Sequence, residues 1–239
     1  RAAFACPAPR SDTTPCRLRH HVAMTTGTAA PNPFVIPGPA GQIEAAFDPA
    51  EGAPQPLLAV LCHPLSTEGG SMHNKVVTTA ARALRETGVA TLRFNFRGVG
   101  LSDGQFDNGQ GELDDLRAVV AWAALHHPGK ALWLAGFSFG AWVSLRGAVD
   151  LGAKALISIA PPVGRSWAFD DIALPQVPWL VIQGLNDEIV DAHAVRSWVN
   201  GLPQPPQLIE MPDTSHFFHR KLIDLRGVIR NSARNWLPA

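Results

Sequence analysis

Six short apolar runs, Leu57–Cys62, Ala90–Phe96, Ala131–Phe137, Lys154–Ala160, Trp179–Gln183 and Gln207–Met211, recur along the chain with helix-period stretches between them. Runs of this length without polar alternation are expected of strands covered on both faces, as in a parallel sheet flanked by helices. The intervening stretches Asn74–Glu86, Glu112–His126, Phe139–Val149, Ala192–Asn200 and Phe218–Trp236 are expected to be those helices. In the first of them Val76, Val77, Ala80, Ala81 and Leu84 share one face, and Gly88 stands where a C-cap glycine belongs. The segment Gln42–Phe47 alternates polar and apolar residues and is expected to be an antiparallel edge strand. The pattern predicts an α/β domain over residues 34–239, with a mostly parallel central sheet and helices on both faces.

Charge narrows the function classes. Twenty basic and twenty acidic residues cancel, so no global field draws the chain to nucleic acid or to an anionic membrane. No apolar run approaches the eighteen or so residues that span a bilayer. Tyrosine is absent, which removes one kind of acid, base or oxyanion donor. Cys6, Cys16 and Cys62 form no even-numbered framework and no metal-ligand spacing, and Cys62 reads as a buried free thiol in a reducing, cytoplasmic setting. Residues 1–33 are rich in Pro, Ala, Thr and Arg, lack periodicity and are expected to be disordered. Met24 is a plausible start, so residues 1–23 are expected to be upstream translated sequence or a removable leader, an organellar transit peptide being the lesser reading.

The sharpest local signal is Gly136-Phe137-Ser138-Phe139-Gly140, which ends one apolar run and opens a helical stretch. A serine that presents its hydroxyl from a strand-to-helix corner sits in a strained backbone, and glycines two residues to either side let strand and helix pass closely. The bland alternative is a glycine-rich turn with an N-capping serine. The helix that follows favours the nucleophile, because its free N–H groups would face an oxyanion formed beside Ser138.

A serine hydroxyl needs a base to take its proton, and in strand–turn–helix sites of this kind an acid and then a histidine follow in the chain. Asp187 lies in Gln183-Gly184-Leu185-Asn186-Asp187-Glu188 and His216 in Pro212-Asp213-Thr214-Ser215-His216-Phe217, each just beyond the carboxyl end of an apolar run. Glu188 is the competing acid, which alternation would point elsewhere; Asp191 reads as a helix cap, and Asp213 lies too close to His216 to orient it. His216 and His219 form an HxxH pair with no third ligand in evidence. For the oxyanion hole the backbone N–H groups of Phe139 and Leu65 are the candidates, since Pro64 has none to give. His63 is expected to brace that loop, and Arg97 to fix a loop rather than to bind substrate.

Taken in order, HPLSTEGGSMHNKVV, FNFRGVGLSDG, GFSFG, QGLNDEIV and DTSHFFHRKL resemble the bacterial α/β hydrolases from about residue 34 to 237. The likeness is to small cap-less members of dienelactone-hydrolase-like or serine-aminopeptidase-like architecture. It implies an α/β-hydrolase fold without a substantial cap domain. It also implies a nucleophile at Ser138, an acid at Asp187 and a base at His216, acting with no metal or organic cofactor. Dienelactone hydrolases carry a cysteine nucleophile where this chain has Ser138, and the usual glycine after the first-loop histidine is Pro64 here. Lids of such enzymes enter between the fourth and fifth of the apolar runs, where this chain has only Pro161–Pro178. An open, shallow pocket walled by Phe139, Trp167 and Phe217 is therefore expected, suited to a small ester or thioester as the partner molecule. A peptidase or amidase with the same three residues, and a non-catalytic binding protein on the same scaffold, are the rival readings.

Overall fold

The computed structural model describes residues 33–238. The expectation of disorder over residues 1–33 falls, apart from Pro33, outside the described residues. Eight strands form one sheet: β1 (Phe34–Gly38), β2 (Gly41–Asp48), β3 (Leu57–Cys62), β4 (Ala90–Phe94), β5 (Ala131–Phe137), β6 (Ala155–Ile159), β7 (Trp179–Gly184) and β8 (Gln207–Met211). Their order is β1-β2-β4-β3-β5-β6-β7-β8. The β1–β2 and β2–β4 pairs are antiparallel and all the others are parallel.

The helices are α1 (Lys75–Arg85), α2 (Gln110–His126), α3 (Phe139–Ala148), α4 (Ala192–Gly201) and α5 (Leu222–Arg234). The period-2 pleat of the central strands divides the core in two. Leu58, Val60 and Cys62 of β3 face the side that α2, α3 and α4 cover with Leu116, Val143 and Val195. Leu57, Ala59 and Leu61 face the side covered by α1 and α5, through Val77, Leu84, Leu225 and Ile229. All six β3 residues are buried, which is why the strand is one unbroken apolar run. Burying a Val, Leu or Ile side chain contributes about 1.5–3 kcal/mol, so this double-sided coverage dominates the stability.

Three expectations need correction. Gln42–Phe47 is antiparallel, as expected, but it is not the edge, because β1 pairs outside it. The helix expected over Phe218–Trp236 begins only at Leu222, since Phe218 and Arg220 take left-handed φ of 52° and 61°. Gly88, also left-handed at φ 89°, lies two residues beyond the C-cap of α1, which is Glu86. The remaining boundaries differ by a few residues. β4, for example, stops at Phe94 because Asn95 turns to accept from the Met72 N–H and to donate to Glu44.

Candidate active site

Ser138 occupies the corner between β5 and α3 with φ 52° and ψ −118°, a conformation a non-glycine residue adopts only under constraint. The constraint comes from both sides. The Ser138 N–H donates to the Ile159 carbonyl at 2.8 Å, and the Ala141 N–H returns to the Ser138 carbonyl at 2.8 Å. A Cβ on Gly136 would stand 2.1 Å from the Gly140 carbonyl oxygen, and one on Gly140 would stand 2.3 Å from that of Cys62. Strand and helix therefore pass at a separation only glycine permits, as the flanking glycines led us to expect.

Two loops at the carboxyl ends of β7 and β8 meet this corner. They are stitched together by Leu185 N–H to the Met211 carbonyl (2.9 Å) and Asn186 N–H to the Thr214 carbonyl (3.0 Å). His216 Nδ1 lies 2.8 Å from Asp187 Oδ2, and His216 Nε2 lies 3.1 Å from Ser138 Oγ. The carboxylate partner fixes the tautomer: Nδ1–H donates to Asp187, which leaves Nε2 to accept the Ser138 hydroxyl proton. Both side chains of the acid–imidazole pair are shielded from solvent. Burial alone would push the Asp187 carboxyl up. Hydrogen bonds from His216 and Val190, the His216 charge and the Ile189 N–H outweigh it and hold the group below its ordinary value. An ionised carboxylate here can orient the imidazole and stabilise an imidazolium.

Glu188 has a place that sequence spacing did not suggest. Its Oε2 accepts the backbone N–H of His216 at 3.1 Å, so it fastens the histidine loop rather than competing for the ring. Asp191 caps α4 through the His193 N–H, as expected. Asp213 is exposed at φ 50°, and His219 is exposed beyond the turn. Within this group it is Asp187 and His216 that the fold brings to Ser138.

Across the pocket, β3 runs into His63, Pro64 and the 3-10 turn Ser66–Glu68. His63 is fully buried; it donates from Nδ1 to the Pro64 carbonyl at 2.6 Å and accepts the Phe96 N–H at Nε2 at 2.9 Å. It thus ties the loop after β3 to the loop after β4. The N–H groups of Leu65 and Phe139 have no acceptor among the described residues, and both residues line the same cavity as Ser138. That cavity, about 530 Å³, is walled by Phe139, Trp167, Phe217, Ile189 and Val190, with Glu68 and Arg165 as its charged lining. Arg97 lies outside it, paired through Nε and Nη2 with the buried Asp115 at 3.0 and 2.8 Å. No helix or strand lies between β6 and β7.

Among the described residues no helix is long and apolar enough to cross a membrane. The family model for serine aminopeptidase, S33 matches residues 60–174. A lidless α/β serine hydrolase of Xanthomonas campestris is 58% identical, superposes with a TM-score of 0.84, and matches 89% of this chain and 99% of its own. An α/β serine hydrolase homologue of Coxiella burnetii is 44% identical with a TM-score of 0.82, over 86% of this chain and 99% of that one. An uncharacterized protein of Rickettsia prowazekii is 36% identical over 203 residues, 81% of this chain and 85% of the relative.

Proposed function

Because the chain belongs to the α/β hydrolases, in their lidless form, we propose that it cleaves small carboxylic esters or thioesters with Ser138 as nucleophile, His216 as base and Asp187 as orienting acid. The observation that supports this most is the unbroken row Asp187–His216–Ser138, with contacts of 2.8 and 3.1 Å.

The reaction is a two-step acyl transfer. His216 Nε2 takes the Ser138 proton as Oγ attacks the acyl carbon, and Asp187 stabilises the imidazolium that forms. The free N–H groups of Phe139 and Leu65 receive the developing oxyanion, each such donor typically worth about 3–4 kcal/mol in the transition state. His216 then protonates the leaving group, and a water deprotonated by the same nitrogen hydrolyses the acyl-enzyme. This cavity of about 530 Å³ and its aromatic walls favour short acyl and alcohol parts.

Labelling with a fluorophosphonate probe, followed by mapping of the modified peptide, tests the assignment. Modification at Ser138 that vanishes in Ser138→Ala is the expected result, and equal labelling of that variant would sink it. A p-nitrophenyl ester series from acetate to palmitate tests the size limit, which an optimum at long chains would overturn. Amide cleavage at an aminoacyl group is the second reading. It is favoured by the aminopeptidase description of the family and by Glu68 as a carboxylate at the pocket wall. Aminoacyl-anilides set against p-nitrophenyl esters separate the two.

A further inference from the structure

We propose that Gln183, at the end of β7, is a positioning residue that holds the Asp187 carboxylate in the plane of the His216 ring. The proposal rests on the reading of Ser138, Asp187 and His216 given above.

Gln183 is fully buried, an expensive place for a primary amide. Its Nε2 donates to Asp187 Oδ2 at 3.0 Å, the same oxygen that receives His216 Nδ1–H at 2.8 Å. The Gly184 and Val190 carbonyls lie 3.1 and 3.4 Å from the same nitrogen. Three acceptors around one amide end determine its orientation, because the reversed amide would set Oε1 against all three oxygens. The cost falls on the other end: Oε1 is buried and has no donor among the described residues. A buried acceptor left unpaired is destabilising. A leucine on this strand would avoid that penalty, so the glutamine gives up stability for its contact with Asp187.

What that contact does follows from the carboxylate's other bonds. Oδ1 accepts the Ile189 and Val190 N–H groups at 2.9 and 2.7 Å, which anchors one oxygen to the backbone. Oδ2 has only side-chain donors, His216 and Gln183. Without Gln183 the carboxylate can rotate about its anchored oxygen, and the imidazole follows it away from Ser138. With Gln183, Oδ2 has two donors and one position. The titratable groups at this cluster are Asp187 and Glu188 on the loop after β7 and His216 on the loop after β8.

The test compares full-length wild type, Q183M and Q183E by the rate of fluorophosphonate labelling from pH 5 to 9, with thermal melting as the control for folding. Q183M keeps the volume and removes the donor. Its labelling should slow about ten- to a hundredfold, the scale of a lost hydrogen bond to a charged group. Q183E sets a second carboxyl beside Asp187 Oδ2, and two adjacent carboxylates cannot both ionise without strengthening the imidazolium. Its acid limb should move upward by about a unit, or a further ionisation should enter the profile. A residue that only fills space would, in Q183M, shift the melting temperature and leave the labelling rate and its pH profile unmoved. Wild-type labelling in Q183M, or a Q183E profile superposing on wild type, overturns the role of Gln183, and Q183E alone decides if Q183M does not fold. Labelling that persists in Ser138→Ala would instead strike the underlying assignment.

Discussion

Mild acid should weaken this fold through one buried imidazole. His63 uses both ring nitrogens in its neutral form, one donating to the Pro64 carbonyl and the other accepting from Phe96 N–H. A second ring proton would set donor against donor in a site with no solvent. Burial pushes the His63 pKa down from 6.5 to about 4, against the upward pull of the Pro64 carbonyl. The unfolded chain therefore takes up this proton near pH 6.5 and the folded chain only near pH 4. The stability held by neutral His63 is complete above pH 6.5 and drains away as the pH falls toward 4, in total about 3 kcal/mol. Urea unfolding of wild type and His63→Gln at steps between pH 7.5 and 4.5 measures it. The variant should be the less stable at neutral pH, having lost buried hydrogen bonds. Its deficit should shrink by about 2.5 kcal/mol by pH 4.5, because ionisations shared by the two proteins cancel. A deficit independent of pH, or a His63 proton resonance titrating near 6.5 in the folded protein, would refute the reasoning.

Gly140→Ala should cost at least about 3 kcal/mol and lower the melting temperature by about 6–12 °C, since its Cβ would meet the Cys62 and His63 carbonyl oxygens at 2.3 and 2.5 Å. The same displacement moves Ser138 and the Phe139 N–H, so labelling should fall about a hundredfold; wild-type values in both assays would contradict it. Gly227→Ala, in α5 with open space at its Cβ, should instead stabilise by about 0.5–1 kcal/mol in chemical denaturation and leave labelling alone. Arg97→Met leaves the buried Asp115 carboxylate without its cation and should cost about 3 kcal/mol in guanidinium unfolding, while labelling per folded molecule stays unchanged.

The parts of this molecule legible from sequence are those governed by short-range pattern. β3 and β5 to β7 are runs buried on both faces or nearly so, and the Gly136–Gly140 corner announces itself because two glycines and a serine have one steric reason to stand together. Phe34–Gly38 carries no clear strand signal, because Pro37 argues against one. At the outermost position its missing N–H costs no ladder bond, and Pro37 pairs opposite Gln42 there. The start of α5 was misplaced because Phe218–Lys221 carries helix-like residues, while the turn that delivers His216 demands left-handed φ at Phe218 and Arg220. The parts played by Glu188 and Gln183 depend on which loops lie side by side, and no local pattern encodes that. The glutamate was discounted by strand alternation, although its partner is a main-chain N–H on another loop.

The segment between β6 and β7 carries a broader consequence. It holds no helix or strand, and it is pinned where Trp142 Nε1 donates to the Ala168 carbonyl at 2.8 Å. On the proposed acyl-transfer reading, this segment supplies no element that must open over Ser138, so turnover should track encounter and bond-making rather than the movement of a gate here. It also gives the site no means of choosing who arrives second. Water and any small alcohol would reach an acylated serine by the same route, and their relative abundance would set how much acyl group is hydrolysed and how much is handed on.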